Sequence, residues 1–443
     1  MNILILSSSH PYITAGIVAK DLMNGFKRFG SNEVKMCVGA WDKYPDKDIF
    51  SINGYLGHLR GRALKKGLNG LRKYGLLKKI AQRTDKDYHV LDLDHTITPF
   101  ATHKILDKLD KAKFTPDVIL ILFMQDFLSF KNLYELNHVT NAPIFLYMMD
   151  MAPMTGGCHY AWECKGYVKK CGSCPALFSN EPADQTRINW DFKKTLIEKT
   201  DISVIAGTEW SFRQLQDSSL YENKNKFKIL LSIDENTFKP VEKIAVRKQL
   251  ALPIDKKIVF FGAASALDKR KGFCELMEAL NILSREMPDR DKRNIHLAIA
   301  GKGADEFAQH LPYAHTMLGY LTHEDLPKAF QAADVFVSPS IEDAGPMMVN
   351  QSIMCATPVV SFEMGVALDL VETGQTGYRA KLGDIADLAK GLNCILDMDE
   401  QAHKKMRQNC RDFGLRLCHN EKQIAKFMQS FLHVLGTAKT DRV

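Results

Sequence analysis

The sequence predicts an α/β protein made of two doubly wound domains, each with a mostly parallel sheet covered by helices. A strand–turn–helix–strand order opens the chain, and a similar order starts again after Pro240. This order is how a doubly wound domain begins. The apolar runs are short and β-rich, which is typical of parallel strands buried on both faces. The 443 residues are enough for two domains of ordinary size.

The first predicted domain covers residues 1–235. Its opening strand spans 2–7, and a turn containing Thr14, Ala15 and Gly16 leads into a helix. Apolar residues recur in this helix at helical spacing, and Gly30 is well placed to end it. Further strands are predicted at 34–38, 118–123, 144–148 and 202–206.

The second predicted domain covers residues 236–443. Its strands are predicted at 258–261, 295–300, 316–318, 335–337 and 359–362, with helices between them. The last helices, after about residue 399, are candidates to pack back across the first domain. Two domains of this kind make a pair of Rossmann-like folds.

Composition and charge narrow the classes of function. Hydrophobic residues make up 45% and charged residues 25%, the balance of a soluble globular protein. No stretch is long and apolar enough to span a bilayer. The opening residues carry no charged leader, so we expect a buried first strand and a cytoplasmic, reducing location. The net charge of +7 suits phosphate-bearing ligands or an anionic membrane surface and is too weak to indicate nucleic acid.

The segment of residues 260–273 is the first candidate binding loop. A predicted strand ends at Phe261, Gly262 follows, and a helix starts near Gly272. Between them stand three cations, Lys269, Arg270 and Lys271. Ligands of open α/β sheets bind at the carboxyl ends of strands, where these cations would neutralise a diphosphate. The alternative is a solvated basic loop.

The segment of residues 338–362 is the second candidate. After a predicted strand come Glu342, Asp343, Gly345 and Pro346, and proline suits the first turn of a helix. The backbone N–H groups at this helix start, from Gly345 to Met347, would seat a phosphate. Asp343 at the mouth and Gln351 two turns inside would hold sugar hydroxyls. The alternative is that Asp343 is only an N-cap.

Both segments resemble the donor site of the retaining family-4 glycosyltransferases. Lys271-Gly272 matches the Lys-Gly pair of that family, Asp343 matches its acidic residue, and residues 354–360 match its small-Cys-Gly-Thr-Pro-Val-Val run. The resemblance implies the GT-B fold, in which two Rossmann-like domains face a cleft. It also implies a UDP- or GDP-linked sugar donor, retention of configuration and chemistry without a divalent metal.

Three residues depart from the family pattern. Gln351 stands where the family has the Glu that holds the ribose, Ala356 replaces a Gly, and Ala263 replaces an Arg. We expect Gln351 to weaken or alter donor binding. The alternative function is therefore that of a non-catalytic relative, which acts as a binding or scaffold subunit. A third hypothesis is a sugar-nucleotide epimerase, but the cysteine insert argues against it.

The insert of residues 150–177 holds Cys158, Cys164, Cys171 and Cys174, separated by five, six and two residues. Thiolates so spaced can share a tetrahedral zinc ion. The alternatives are an iron–sulfur cluster or thiols that simply pack, and His159 is a less favoured ligand.

The insert is similar to that of bacterial exopolysaccharide and O-antigen transferases with a Thr-Gly-Gly-Cys-His-Tyr stretch. In many of these a His-Asp pair precedes the stretch, where this chain has Met149-Asp150. The resemblance implies that the acceptor approaches Gly16 and Asp150 in the first domain.

A basic stretch separates Asp48 from Asp85 without any acidic residue. Its cations are Arg60, Arg62, Lys65, Lys66, Arg72, Lys73, Lys78, Lys79 and Arg83. A basic amphipathic segment can lie on anionic lipid, and the alternative is an ordinary solvated surface. With the usual pathway of the resembling subgroup, this predicts a glycan or lipid-linked acceptor and peripheral attachment to the inner membrane.

The leading hypothesis is a glycosyltransferase. Lys271, Arg270 and the helix N–H groups would stabilise the departing diphosphate. Asp343, assisted by Glu342, would orient the donor sugar.

Overall fold

The computed structural model describes residues 1–12, 16–30, 32–39, 46–52, 84–90, 102–288, 292–345 and 347–440. The chain divides into two compact units. Unit 1 comprises Met1–Ala206, Phe212–Phe227 and Ile424–Val443, and unit 2 comprises Gly207–Ser211 and Lys228–Gln423. Each unit is built on a parallel sheet, which confirms the predicted fold class.

The sheet of unit 1 has the strand order β3-β2-β1-β4-β5-β6-β7. The strands are β1 (Asn2–Ser7), β2 (Glu33–Val38), β3 (Ile49–Ser51), β4 (Val118–Phe123), β5 (Ile144–Met148), β6 (Ile202–Ala206) and β7 (Lys226–Lys228). From β3 to β6 the neighbours pair in parallel, with Ile3 of β1 opposite Val34 of β2 and Val118 of β4. All residues of β5 and β6 are buried, as expected of strands covered on both faces.

Helices flank this sheet. They are α1 (Gly16–Gly30), α2 (Thr102–Lys111), α3 (Phe130–Thr140), α4 (Gly166–Lys169), α5 (Gln185–Glu198) and α6 (Glu209–Asp217). In α1 the buried residues Val18, Leu22 and Phe26 recur at helical spacing. The Asp184 carboxylate caps α5 by accepting from the N–H groups of Thr186 and Arg187.

The sheet of unit 2 has the order β10-β9-β8-β11-β12-β13, and all its neighbouring strands are parallel. The strands are β8 (Lys257–Ser265), β9 (Ile295–Lys302), β10 (Ala314–Gly319), β11 (Val335–Ser338), β12 (Val359–Phe362) and β13 (Gly377–Ala380). Numbered within the unit, this is the 3-2-1-4-5-6 order of the Rossmann fold. The order reverses between β8 and β11, which is where such sheets bind ligands.

The helices of unit 2 are α7 (Lys243–Gln249), α8 (Phe273–Glu286), α9 (Leu326–Ala332), α10 (Met347–Met354), α11 (Ala367–Leu370), α12 (Ile385–Leu396) and α13 (Glu400–Leu417). The last helix, α14 (Asn420–Thr440), joins unit 1 from Ile424 onward. There Phe427 and Phe431 pack against Phe26, Phe145 and Tyr147. These aromatic contacts stabilise the attachment of α14 to unit 1.

Asp334, Lys243 and Arg247 form a buried ion-pair cluster in unit 2. The Asp334 carboxylate accepts from Lys243 Nζ at 2.6 Å, Arg247 Nη2 at 2.7 Å and the Ile258 N–H at 2.6 Å. Burial raises the pKa of Asp334, but Lys243 and Arg247 outweigh burial and hold that pKa below its usual value. The cluster ties α7 to the edge of β8 and β11.

In the part of the chain that the structure describes, no helix combines the length and apolarity needed to cross a bilayer.

Candidate functional site

Two loops meet at the carboxyl ends of the adjacent strands β8 and β11. The first loop, residues 266–272, follows β8 and contains a short 3₁₀ helix, Lys269–Lys271. The second, residues 339–346, follows β11 and leads into α10. The two predicted binding segments are thus neighbours at the point where the strand order of unit 2 reverses.

Backbone contacts lock these loops together. The Ile341 N–H donates to the Arg270 carbonyl at 2.9 Å. Gly272 adopts a left-handed φ of 67°, and a Cβ on it would stand 1.7 Å from the Pro339 carbonyl oxygen. Only glycine allows the Pro339 carbonyl to come this close to the backbone, so the loop geometry itself requires glycine after Lys271.

Lys271 and Asp343 form an ion pair across the two loops. Lys271 Nζ donates to Asp343 Oδ2 at 2.5 Å, and Asp343 Oδ1 accepts from the Gly345 N–H at 3.1 Å. Residue Asp343 is 5% exposed. Burial raises the pKa of Asp343, but Lys271, Arg270 and the Gly345 N–H together hold it below its usual value. Asp343 is therefore a carboxylate at neutral pH.

The Arg270 guanidinium is buried and braces the loops. Its Nη2 donates to Asp268 Oδ2 at 2.5 Å and its Nη1 to the Glu342 carbonyl at 3.2 Å. Glu342 itself is buried beside Asp343. Of the three predicted cations, Lys269 is exposed, Arg270 is buried, and Lys271 has a quarter of its side chain exposed.

Helix α10 follows the second loop and carries two of the predicted binding residues, Met347 and Gln351. Gln351 is 2% exposed, and its Oε1 has no hydrogen-bond partner among the described residues. A Cβ on Gly262 of β8 would stand 2.7 Å from Met348 Cε, the flexible end of a side chain of α10. Met347 packs against the core of unit 2. Pro346 lies outside the described residues.

In unit 1, Asp150 is paired with His159. Asp150 Oδ2 lies 2.9 Å from His159 Nδ1, and Asp150 Oδ1 accepts from the Ala152 N–H at 2.8 Å. The loop after β5 is also held by Lys193 of α5, whose Nζ donates to the carbonyls of Ala152 and Thr155. The sequence indicated His159 only as a less favoured metal ligand, and no local pattern predicted its pair with Asp150.

Gly16 begins α1 in the same unit. A Cβ on it would lie 1.9 Å from the His10 carbonyl oxygen, so the loop after β1 closes tightly over the helix start. Thr14 and Ala15 of the predicted turn lie outside the described residues. So does most of the basic stretch, since residues 53–83 are not among those described.

The four clustered cysteines border one small cavity. Cys158, Cys164, Cys171 and Cys174 line a space of about 20 Å³ together with Gly156 and Gly157. Burial raises the pKa of the Cys158 thiol to about 12 and that of Cys171 to about 11. The Gly156 N–H donates to Cys171 Sγ at 3.1 Å.

The structure does not support the predicted zinc ion at these four cysteines. Among the described residues, no group of three or more His, Cys, Asp or Glu side chains is arranged to hold a metal. The described residues therefore give no support to the predicted zinc ion.

The fold of the whole chain resembles solved GT-B glycosyltransferases. Sucrose-phosphate synthase from Thermosynechococcus elongatus superposes with a TM-score of 0.67 at 17% identity, covering 98% of this chain and 99% of that one. The HepE protein of Anabaena, solved with UDP and glucose, superposes with a TM-score of 0.60 at 17% identity, covering 97% and 100%. The class of fold is thus the two-domain Rossmann-like architecture of these enzymes.

Residues 242–413, which include both loops of the site, match the family model "Glycosyl transferases group 1". Among curated proteins, the D-inositol 3-phosphate glycosyltransferase of Geodermatophilus obscurus is 24% identical over 229 residues, 48% of this chain and 49% of the relative. The putative glycosyltransferase EpsD of Bacillus subtilis is 25% identical over 182 residues, 40% and 46% of the two chains. The chain spans about half the length of these relatives or less.

Proposed function

We propose that this protein is a glycosyltransferase that moves a sugar from a UDP- or GDP-linked donor to a glycan or lipid-linked acceptor. The observation that carries the proposal is the Lys271–Asp343 pair at the reversal point of the unit 2 sheet. The Lys271 ammonium group, next to the loop that leads into α10, suits the diphosphate of a nucleotide sugar.

On the donor side, Lys271 binds the diphosphate. An ammonium group has three N–H donors, so Lys271 can keep its bond to Asp343 and still donate to a phosphate oxygen. Arg270 and the N–H groups of Gly345 and Met347 add to the positive field. Because charge develops on the leaving diphosphate, these groups stabilise the transition state more than the bound donor.

Asp343 and Glu342 orient the donor sugar, and Gln351 holds the nucleoside. The Gln351 amide oxygen is buried without a partner among the described residues, so a ligand hydroxyl gives it one. We propose retention of configuration and chemistry without a divalent metal, since protein cations take the place of the metal at the diphosphate.

On the acceptor side, we propose that the acceptor binds to unit 1 near Gly16 and the Asp150–His159 pair. The pair follows β5, and Gly16 follows β1, at the carboxyl ends where such sheets bind ligands. A carboxylate and an imidazole are suitable partners for a sugar hydroxyl. A structural zinc ion forms no part of this proposal, because the described cysteines do not form a metal-holding group.

A role in bacterial surface polysaccharide synthesis, with a lipid-linked acceptor and peripheral attachment to the inner face of the membrane, rests on the basic stretch of residues 49–84. Several Lys and Arg residues near an anionic surface are enough for reversible binding. Sedimentation with anionic and neutral vesicles at low and high salt tests this part. Binding that is equal on both kinds of vesicle would reject it.

The proposed donor is tested by calorimetry with UDP and GDP, followed by transfer or hydrolysis assays with their sugars. Binding of a nucleoside diphosphate with turnover supports the enzyme. Binding without turnover across a full donor panel supports the second candidate, a non-catalytic relative, which the replacement of the family Glu by Gln351 favours.

A further inference from the structure

A short segment outside the two loops holds the second loop in place. Gly207–Ser211 follows β6 in the sequence but belongs to unit 2. Within it, Thr208 is 4% exposed and its Oγ1 lies 2.7 Å from the carbonyl oxygen of Ala344, 136 residues away. Ala344 is the residue directly after Asp343.

The neighbours of Thr208 favour one direction for its hydroxyl proton, although Ser211 Oγ also lies 2.9 Å from Thr208 Oγ1. The Ser211 N–H donates to Thr208 Oγ1 at 3.1 Å, so it occupies an acceptor position of this oxygen. The Ser211 hydroxyl donates to the Thr208 carbonyl at 3.1 Å. The Thr208 hydroxyl has one proton, and the shortest acceptor for it is the Ala344 carbonyl.

The Thr208 methyl group touches the next residue. A Cβ added to Gly345 would stand 2.9 Å from Thr208 Cγ2, closer than real side chains pack. The two branches of the Thr208 side chain therefore contact Ala344 and Gly345, on either side of one peptide bond.

That peptide group connects Thr208 to Asp343. Its carbonyl, from Ala344, accepts from Thr208, and its N–H, from Gly345, donates to Asp343 Oδ1 at 3.1 Å. Because a peptide group is planar, fixing the carbonyl also fixes the direction of the N–H. The orientation of the Asp343 carboxylate, and with it the pair to Lys271, thus depends on Thr208.

A charged cluster anchors the segment. The Glu209 N–H donates to Asp369 Oδ2 at 2.8 Å. Lys228 Nζ then bonds to Glu209 Oε2 at 2.7 Å and to Asp369 Oδ1 at 3.2 Å. These contacts hold the backbone at Thr208 against unit 2.

We propose that Thr208 is a positioning residue of the donor site, which acts through the Ala344–Gly345 peptide on Asp343 and Lys271. The inference rests on the proposed function, because it assigns a role in donor binding. It adds a residue that lies outside residues 242–413 and outside both loops.

The test compares Thr208→Val, which keeps the shape and loses the hydroxyl, with Thr208→Ser, which keeps the hydroxyl. Thr200→Val is the matched control, since Thr200 is also buried and donates to a carbonyl, that of Leu196, at 2.7 Å. Calorimetry with UDP and GDP should show binding about five- to tenfold weaker for Thr208→Val. The UDP and GDP affinities of Thr208→Ser and Thr200→Val should stay within about twofold of the wild-type value. Where turnover is measured, KM for the donor should rise in Thr208→Val only.

A second pair of variants serves if Thr208→Val does not fold. Gly345→Ala places a methyl group against Thr208 Cγ2 and should weaken UDP and GDP binding, and adding Thr208→Ser removes the clash and should restore much of it. A double variant as weak as Gly345→Ala would overturn the inference. So would wild-type affinity in a folded Thr208→Val, or equal losses of affinity in both valine variants. A wild-type protein that binds neither UDP nor GDP overturns the proposed function and this inference with it.

Discussion

Lys271 and Asp343 are 72 residues apart in the sequence, yet Lys271 Nζ donates to the Asp343 carboxylate at 2.5 Å. The pair exists because β8 and β11 are parallel neighbours whose carboxyl ends open on the same edge of the sheet. Asp343 is buried and Lys271 is partly exposed, so the pair offers a cation to a ligand while the carboxylate stays in place.

Breaking the buried Asp334 cluster should destabilise unit 2 strongly. Asp334→Asn removes the charge that compensates Arg247, whose side chain is 5% exposed, and should cost about 3 kcal/mol of unfolding free energy. Denaturant unfolding at neutral pH measures this. Asp325→Asn is the control, because Asp325 pairs with Lys328 at the surface and its replacement should change the stability little.

The same cluster predicts an acid dependence. Because the cations hold the folded-state pKa of Asp334 below its usual value, its stabilising contribution is complete above the ordinary carboxyl pKa of about 4. The contribution is lost as the pH falls through the lower folded-state pKa. The free energy of unfolding of Asp334→Asn should therefore fall less steeply with decreasing pH than that of the wild type. If both fell equally over this pH range, Asp334 would not be the group responsible.

The Asp150–His159 pair should affect acceptor transfer but not donor binding. His159→Gln or Asp150→Asn breaks the 2.9 Å contact between carboxylate and imidazole. We expect kcat/KM for the acceptor to fall about tenfold, with UDP or GDP affinity unchanged. His138→Gln, at an exposed position of unit 1, is the control. An equal loss of nucleotide affinity would show that the pair only supports the fold.

The cysteine cluster should react slowly with alkylating reagents. Burial raises the pKa values of Cys158 and Cys171, so few thiolates are present at neutral pH. Mass spectrometry after iodoacetamide treatment should show modification of the exposed Cys274 and Cys394 first. Stoichiometric zinc in protein purified without added metal would contradict this description of the site.

Local patterns in the sequence predicted the strands and the two loops because parallel strands and their flanking glycines leave clear signals. The predicted strand at 335–337 lies within β11, and the one at 359–362 coincides with β12. Spacing likewise predicted that the four cysteines lie together, since a single loop carries them. Spacing alone does not settle whether they hold a metal, because ligand geometry depends on side-chain orientation.

The missed contacts join residues that no local pattern connects. Thr208 and Ala344 are 136 residues apart, and their hydrogen bond follows from the packing of a segment that leaves β6 and joins unit 2. His159 reaches Asp150 through a loop whose path is held by Lys193 of another helix. Only the tertiary structure brings these groups together.

Binding of UDP and GDP to Lys271→Ala, measured by calorimetry, tests the central claim most directly. Lys328→Ala is the control, because Lys328 forms a surface pair with Asp325 in the same unit. The account predicts that the wild type and Lys328→Ala bind one of the two nucleotides equally well. Lys271→Ala should bind it more weakly by about 1.5–3 kcal/mol, the contribution of a hydrogen bond to a charged group. Unchanged affinity in a folded Lys271→Ala variant would contradict the donor site.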